Sequence, residues 1–319
     1  MPTPALDALL PVATLIAVGG LAARLGWVKA SSLSDLSNLA FKVLAPALLF
    51  TSMSHVHLDQ VALKPVGVYF MSIAVVFALV LLRHGGGVLG AVRALGATFS
   101  NTLIIGVPLV AKVYGQAGLV PLLSLLTVHT LVVLSTATVI IELMQAVAEQ
   151  RRSHSGKLGL VTVMKPTLKA IKGSLLHPVP LPILAGLAVA ASGVSLPEVV
   201  SEPIAWLGNA FAPVALVLLG ITLGCGKPLG RMRVATELAL SKIIVHPLVM
   251  LVMGLAMGLG GLELRVMVLT AALPIGANVY LFAQRYQVAE QETTAAVALS
   301  TLAAAMTLTL VLTYLPLLP

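Results

Sequence analysis

The chain has 319 residues, 59% of them hydrophobic and 9% charged, with a mean hydropathy of +1.05. A soluble globular domain carries about a quarter of its residues as charges, so this composition excludes a water-soluble fold and most soluble enzyme classes, and describes an integral membrane protein. The single cysteine, Cys225, excludes a disulfide framework or a cysteine-rich metal site. The net charge of +8 is scattered between apolar runs and forms no face, which points to membrane topology and not to nucleic acid.

A helix crossing the hydrocarbon core needs about 20 apolar residues. Such runs cover 5–26, 35–54, 65–82, 91–114, 117–144, 177–195, 199–223, 234–260, 263–285 and 290–316, which predicts an all-α protein of ten transmembrane helices. Stretches such as Val75 to Leu82 and Leu302 to Leu315 are apolar all round, without the alternation of a barrel strand. The first run lacks the basic start and cleavage site of a signal peptide and reads as a retained helix. With alternate loops assigned to opposite sides, fourteen of the nineteen Lys and Arg residues fall on one side, among them Arg24, Lys29, Arg83, Arg93, Arg151, Arg231 and Arg285. Only Lys64, Lys112 and Arg265 fall near the other. The positive-inside rule then predicts a cytoplasmic central linker and two periplasmic or extracellular termini.

The basic stretch 146–176 divides the runs five and five. Prolines recur in register across it: Pro11 and Pro178 are 167 residues apart, Pro46 and Pro213 are 167 apart, and Pro108 and Pro274 are 166 apart. Five crossings per half make the second copy enter from the opposite face. The expected organisation is a first five-helix repeat (1–145), a cytoplasmic basic linker (146–176) and a second, inverted five-helix repeat (177–319), an architecture of secondary transporters.

The fourth and ninth runs each place Pro, Gly and Asn near mid-membrane: Asn101, Gly106 and Pro108 in one, Pro274, Gly276 and Asn278 in the other. Proline removes the amide that bonds the carbonyl four residues back. In hydrocarbon that carbonyl costs several kcal/mol unless protein, water or ligand satisfies it. Each break therefore predicts a cavity. The half-helix that follows, near Val107 to Val110 and near Ile275 to Asn278, is expected to offer free amides and a positive dipole end to a carboxylate.

The run Ser100-Asn-Thr-Leu-Ile-Ile-Gly106-Val-Pro108-Leu109, continuing through Lys112-Val-Tyr-Gly115, resembles the Asn-x-x-x-x-Gly-x-Pro-Leu signature of the auxin efflux carrier family. The run Leu273-Pro-Ile-Gly-Ala-Asn278, with Tyr286 and Ser300-Thr301, is similar to the same family's second half. That family includes plant PIN-formed carriers and bacterial permeases for malate, malonate and related acids. The resemblance implies a crossover of the two broken helices, a scaffold of the first two spans of each half, a mobile domain of the other three, and a homodimer. The short linker favours the bacterial branch, in a cell inner membrane.

Charges inside the membrane refine the expectation. Lys42, four residues before Pro46, is expected to neutralise a carboxylate of a dianion. Lys242 is expected to pair with Glu237 or to snorkel. Asp occurs only at Asp7, Asp35 and Asp59, near the ends of runs, so a cation substrate has little to hold it. His129 and His246 are expected to be buried, neutral and bonded to backbone carbonyls. The reading is a non-enzymatic carrier of small organic anions such as malonate or malate, working by alternating access, with no cofactor beyond a coupling ion, H+ or Na+. Its predicted site is Asn101, Gly106, Pro108, Pro274, Gly276, Asn278 and Lys42. The alternatives are a weak-acid exporter of auxin type on the same fold, or a membrane sensor whose linker meets a cytoplasmic partner.

Overall fold

In a computed structural model, residues 4–54, 62–153, 180–194, 196–225 and 231–317 are described, and they form a helical, multi-span membrane bundle. In chain order the helices are α1 (Pro4–Arg24), α2 (Ala30–Ser54), α3 (Leu63–His84), α4 (Val88–Thr98), α5 (Val107–Ser153), α6 (Pro180–Ser192), α7 (Glu198–Gly224), α8 (Met232–Ala256), α9 (Gly261–Ala272), α10 (Asn278–Tyr286) and α11 (Glu290–Tyr314). All fall on the apolar runs. Five of them, α2, α3, α7, α8 and α11, are long and apolar enough to cross a membrane. The others are shorter or interrupted; α5, for example, changes direction at Gly115, where φ is 63°. It also runs on to Ser153, so the first residues of the basic linker continue a helix. Residues 154–179 lie outside the described residues, as do Pro178, His55 and His57.

Three single turns are wound wider than an α-helix: Ala40–Leu44 inside α2, Thr102–Gly106 ahead of α5, and Ser241–Val245 inside α8. Such turns leave backbone groups out of the regular ladder and gather at functional places.

Two sets of helices pack within themselves. In the first, α1 lies along α7, and α2 packs on α6 and α7. Lipid tails are as apolar as leucine, so close backbone contact, and not hydrophobic exclusion, holds membrane helices together. Glycine permits it here. A Cβ on Gly220 would sit 2.0 Å from the Ile16 carbonyl oxygen, and one on Gly19 2.0 Å from that of Val217. Gly186 meets the Phe50 carbonyl and Gly208 the Leu48 backbone in the same way. In the second set, α3 packs on α4 and α8, and α8 packs on α9 and α11.

Polar contacts tie helix ends. Glu237 at the start of α8 meets Arg83 and His84 at the end of α3, each at 3.6 Å. Lys112 pairs with Asp7, and the Lys64 ammonium donates to the Gly258 carbonyl at 3.0 Å. Arg93 corrects the sequence reading, which counted it among loop charges. It is buried and grips Glu292 of α11 through two hydrogen bonds of 2.8 Å. A buried guanidinium is retained only with such a fork-on-fork partner, and this one is 199 residues away along the chain.

Gly220→Val is expected to lower the stability of the detergent-solubilised protein by about 1–3 kcal/mol through overpacking. Gly67→Ala, whose added Cβ meets nothing within 4 Å, leaves it unchanged or slightly raised. Thermal melts followed by size exclusion check both.

Candidate substrate site at the helix crossover

The first break runs from the extended Phe99 through Ser100 and Asn101, and the helix resumes at Thr102. The second runs from Leu273 through Pro274, Ile275 and Gly276 to Ala277, ahead of Asn278. The two breaks meet. Ser100 and Ile275 form an antiparallel bridge: the Asn101 amide donates to the Pro274 carbonyl and the Gly276 amide to the Phe99 carbonyl, both at 3.0 Å. The Ile275 amide donates to Ser300 Oγ of α11 at 3.2 Å. Backbone freed by proline and glycine in the bundle centre is thus answered by backbone from the other break.

Two glycines make the approach possible. A Cβ on Gly106 would lie 2.8 Å from a Leu273 methyl, and one on Gly276 2.7 Å from the Phe99 ring. A further support was not anticipated from the sequence. Lys242, fully buried on α8, neither snorkels nor pairs with Glu237; its ammonium donates to the carbonyls of Ala271 at 2.5 Å and Leu273 at 2.8 Å. These are the last carbonyls of α9, the negative end of its dipole. The cation caps them. The signal available in the sequence was a lysine inside an apolar run; its partners, 29 and 31 residues away, were not visible.

The available amides also differ from expectation. Because the first helix resumes at Thr102, Val107 is already bonded to the Thr102 carbonyl, and Pro108 is an exposed residue in the opening turn of α5. Ile275 and Gly276 spend their amides on Ser300 and Phe99. Among the described residues, no hydrogen bond is seen from the amides that begin each resumed helix, at Leu103 and Ile104 and at Ala277 and Asn278. Beside them stand the carboxamides of Asn101, buried, and Asn278, half-buried, neither with a hydrogen-bond partner among the described residues.

Asn278 lines an apolar cleft with Phe41 and Ala45 of α2, Phe211 of α7, Leu134 of α5 and Phe282 of α10. Phe41 and Phe282 meet edge to face, 5.5 Å between centroids. Its lining is apolar apart from Asn278. Outside the cleft lining, Tyr280 of α10 bonds Thr222 of α7 at 2.6 Å. Of the residues predicted for the site, Asn101, Gly106, Pro274, Gly276 and Asn278 converge on the crossover. Pro108 is exposed, and Lys42 is exposed on α2 outside the cleft lining.

The sequence matches the membrane transport protein family over residues 4–312. The chain belongs to that family. A protein of Rhizobium meliloti (strain 1021) named for malonate transport is 26% identical over 314 residues, covering 94% of this chain and 92% of that protein. The likeness to the auxin efflux carriers, drawn above from the motifs of the two breaks, is one of shared family.

Lys242→Met is expected to strip the cap from two buried carbonyls and to destabilise the protein by about 2–4 kcal/mol. Lys242→Arg, which keeps a charged donor, recovers part of the loss. Thermal unfolding of the purified variants measures both.

Proposed function

We propose that this family member is a secondary carrier of small organic anions, malonate or a closely related carboxylate, and that the anion binds at the crossover. The observation that carries the reading is the convergence of two helix N-termini and two unpartnered carboxamides beside a buried ammonium, a constellation of donors with no acidic side chain. Amides and dipole ends of this kind bind carboxylates. Malonate enters through the relative's name and the shared length of the two chains.

The reading carries an architecture with it. The ten apolar runs form two inverted five-helix repeats, 1–145 and 177–319, joined by the cytoplasmic linker 146–176, with both termini periplasmic in a bacterial inner membrane. The end-to-end contacts support the alternation. Glu237 with Arg83, and Arg93 with Glu292, join ends assigned to the cytoplasm, while Asp7 with Lys112, and Lys64 with Gly258, join ends assigned to the other face. The glycine-packed set of α1, α2, α6 and α7 serves as scaffold and as the surface for a homodimer. The remaining helices move against it. Opening parts Phe41 from Phe282 and Tyr280 from Thr222, exposing Asn278 to water. Lys42, one residue from Phe41 at the cleft edge, then meets the second carboxylate of a dianion.

Radiolabelled malonate counterflow in proteoliposomes tests the site. Asn101→Ala and Asn278→Ala each remove a donor to a charged group and are expected to weaken half-saturation about 10- to 100-fold. Unchanged affinity and rate in both variants would remove the crossover from the mechanism.

A further inference from the structure

Behind the crossover, away from the cleft, lies a buried polar cluster that anion binding does not use. Its members are Tyr69 and Ser72 of α3, His129 of α5, and His246 of α8, all at most 1% exposed. Tyr69 bonds the crossover itself, its hydroxyl 2.8 Å from Ser100 Oγ. Its ring stands between the two imidazoles, 5.4 Å from His246 and 5.9 Å from His129, and His129 also lies 5.0 Å from the Phe99 ring. Neither imidazole has the carbonyl partner expected from the sequence among the contacts seen here.

The hydrogen bonds determine the state of His246. Ser72 Oγ donates its one hydrogen to the Tyr69 carbonyl at 2.7 Å. The contact between Ser72 Oγ and His246 Nε2, at 3.3 Å, therefore has Nε2–H as donor. In a neutral ring that leaves Nδ1 as a bare lone pair, and Nδ1 is buried without a hydrogen-bond partner among the described residues. An unmet acceptor in such a place costs about 1–3 kcal/mol, and unexplained orphans of this kind mark function. A proton on Nδ1 replaces the orphan lone pair by a donor, and Pro247, lacking an amide, leaves a carbonyl of the preceding turn without its usual helix partner.

We propose that His246 Nδ1 is the site of the coupling ion, and that this ion is a proton. The proposal rests on the reading of the protein as an organic-anion carrier. On its own helix the nearest charged residue is Lys242, one turn earlier, and His129 stands beyond the tyrosine ring. α3 presents only Tyr69 and Ser72, and α9 carries Glu263 and Arg265 near its start, opposite Gly254 and the far end of α8. Among the described residues no carboxylate is seen against the imidazole. The Lys242 ammonium, one turn away, opposes a second positive charge there, and an anion at the crossover offsets that repulsion. Proton and anion then favour each other's binding by the same factor. The step is a proton binding to a lone pair, taken from water on whichever side the bundle opens and released to the other.

His246→Gln keeps a donor to Ser72 and removes the titrating nitrogen. In proteoliposomes, wild-type protein is expected to accumulate labelled malonate when the outside is made acidic. The Gln variant is expected to keep malonate counterflow and to lose this pH-driven accumulation. In detergent, at a pH where malonate is fully ionised, malonate addition to wild-type protein is expected to draw a proton from solution, read by an indicator dye, and to draw none with the variant. Accumulation that survives in His246→Gln, proton uptake that survives there and vanishes in His129→Gln, or no proton uptake by wild-type protein that performs counterflow, each overturns the proposal. Absence of malonate counterflow in the wild type is a different result: it overturns the carrier reading itself.

Discussion

In the middle of a bilayer a backbone amide or carbonyl has no water to fall back on, and every one that leaves a helix must be answered by the protein. The fold turns on that constraint. Two helices stop at Thr98 and Ala272, and the chain between each stop and restart passes across the other. Two backbone hydrogen bonds of 3.0 Å, one serine hydroxyl and one ammonium answer the groups this releases. On the proposed reading, the amides at the two restarts are where a ligand with negative oxygen atoms completes the structure, so that the energetic demand of the fold and the affinity of the site come from the same groups.

The electrostatics follow from the same geometry. A broken helix normally exposes a positive and a negative end side by side, and would suit either sign of ligand. Lys242 covers the negative end of α9, and the described crossover contains no carboxylate. What is left is positive. Mechanics differ across the bundle as well. Helices α1, α2, α6 and α7 meet through glycine at backbone contact, which resists sliding, whereas the cleft between α2 and α10 is lined mainly by apolar side chains, Phe41 and Phe282 among them. Apolar surfaces of that kind separate without stranding charges, while the Tyr280–Thr222 bond and the Asp7–Lys112 pair, which also join the two sets of helices, must be exchanged for water.

Much of this was legible in the sequence, for identifiable reasons. Apolar length places the helices, and Pro274, Gly276 and Asn101 mark the breaks because no other residue types are so poorly suited to a continuous rod. Glycine at 106 and 276 marked the breaks, and the added-Cβ distances show that each also lets the other break come close. The restart at Thr102 was not legible. Proline at 108 suggested the break itself, but the helix is already running there, through one wide turn in which the Val107 amide bonds the Thr102 carbonyl. The pairings of Lys242 with α9, Arg93 with Glu292, and Tyr69 with Ser100 join residues 29 to 199 apart in sequence. Nothing local announces such partners. The cleft phenylalanines were invisible for another reason: in a chain that is 59% hydrophobic, an apolar residue facing a cavity looks like one facing lipid.

The central claim is contact between a carboxylate and the restarted helix at Ala277 and Asn278. Solid-state NMR dipolar recoupling between carboxyl-13C malonate and protein labelled with 15N at alanine and asparagine, in lipid, measures that contact directly. The account predicts dephasing from the Ala277 and Asn278 amides at hydrogen-bond range, saturating at the malonate concentration that saturates counterflow. Malonate that saturates counterflow while showing no dipolar coupling to either amide contradicts it.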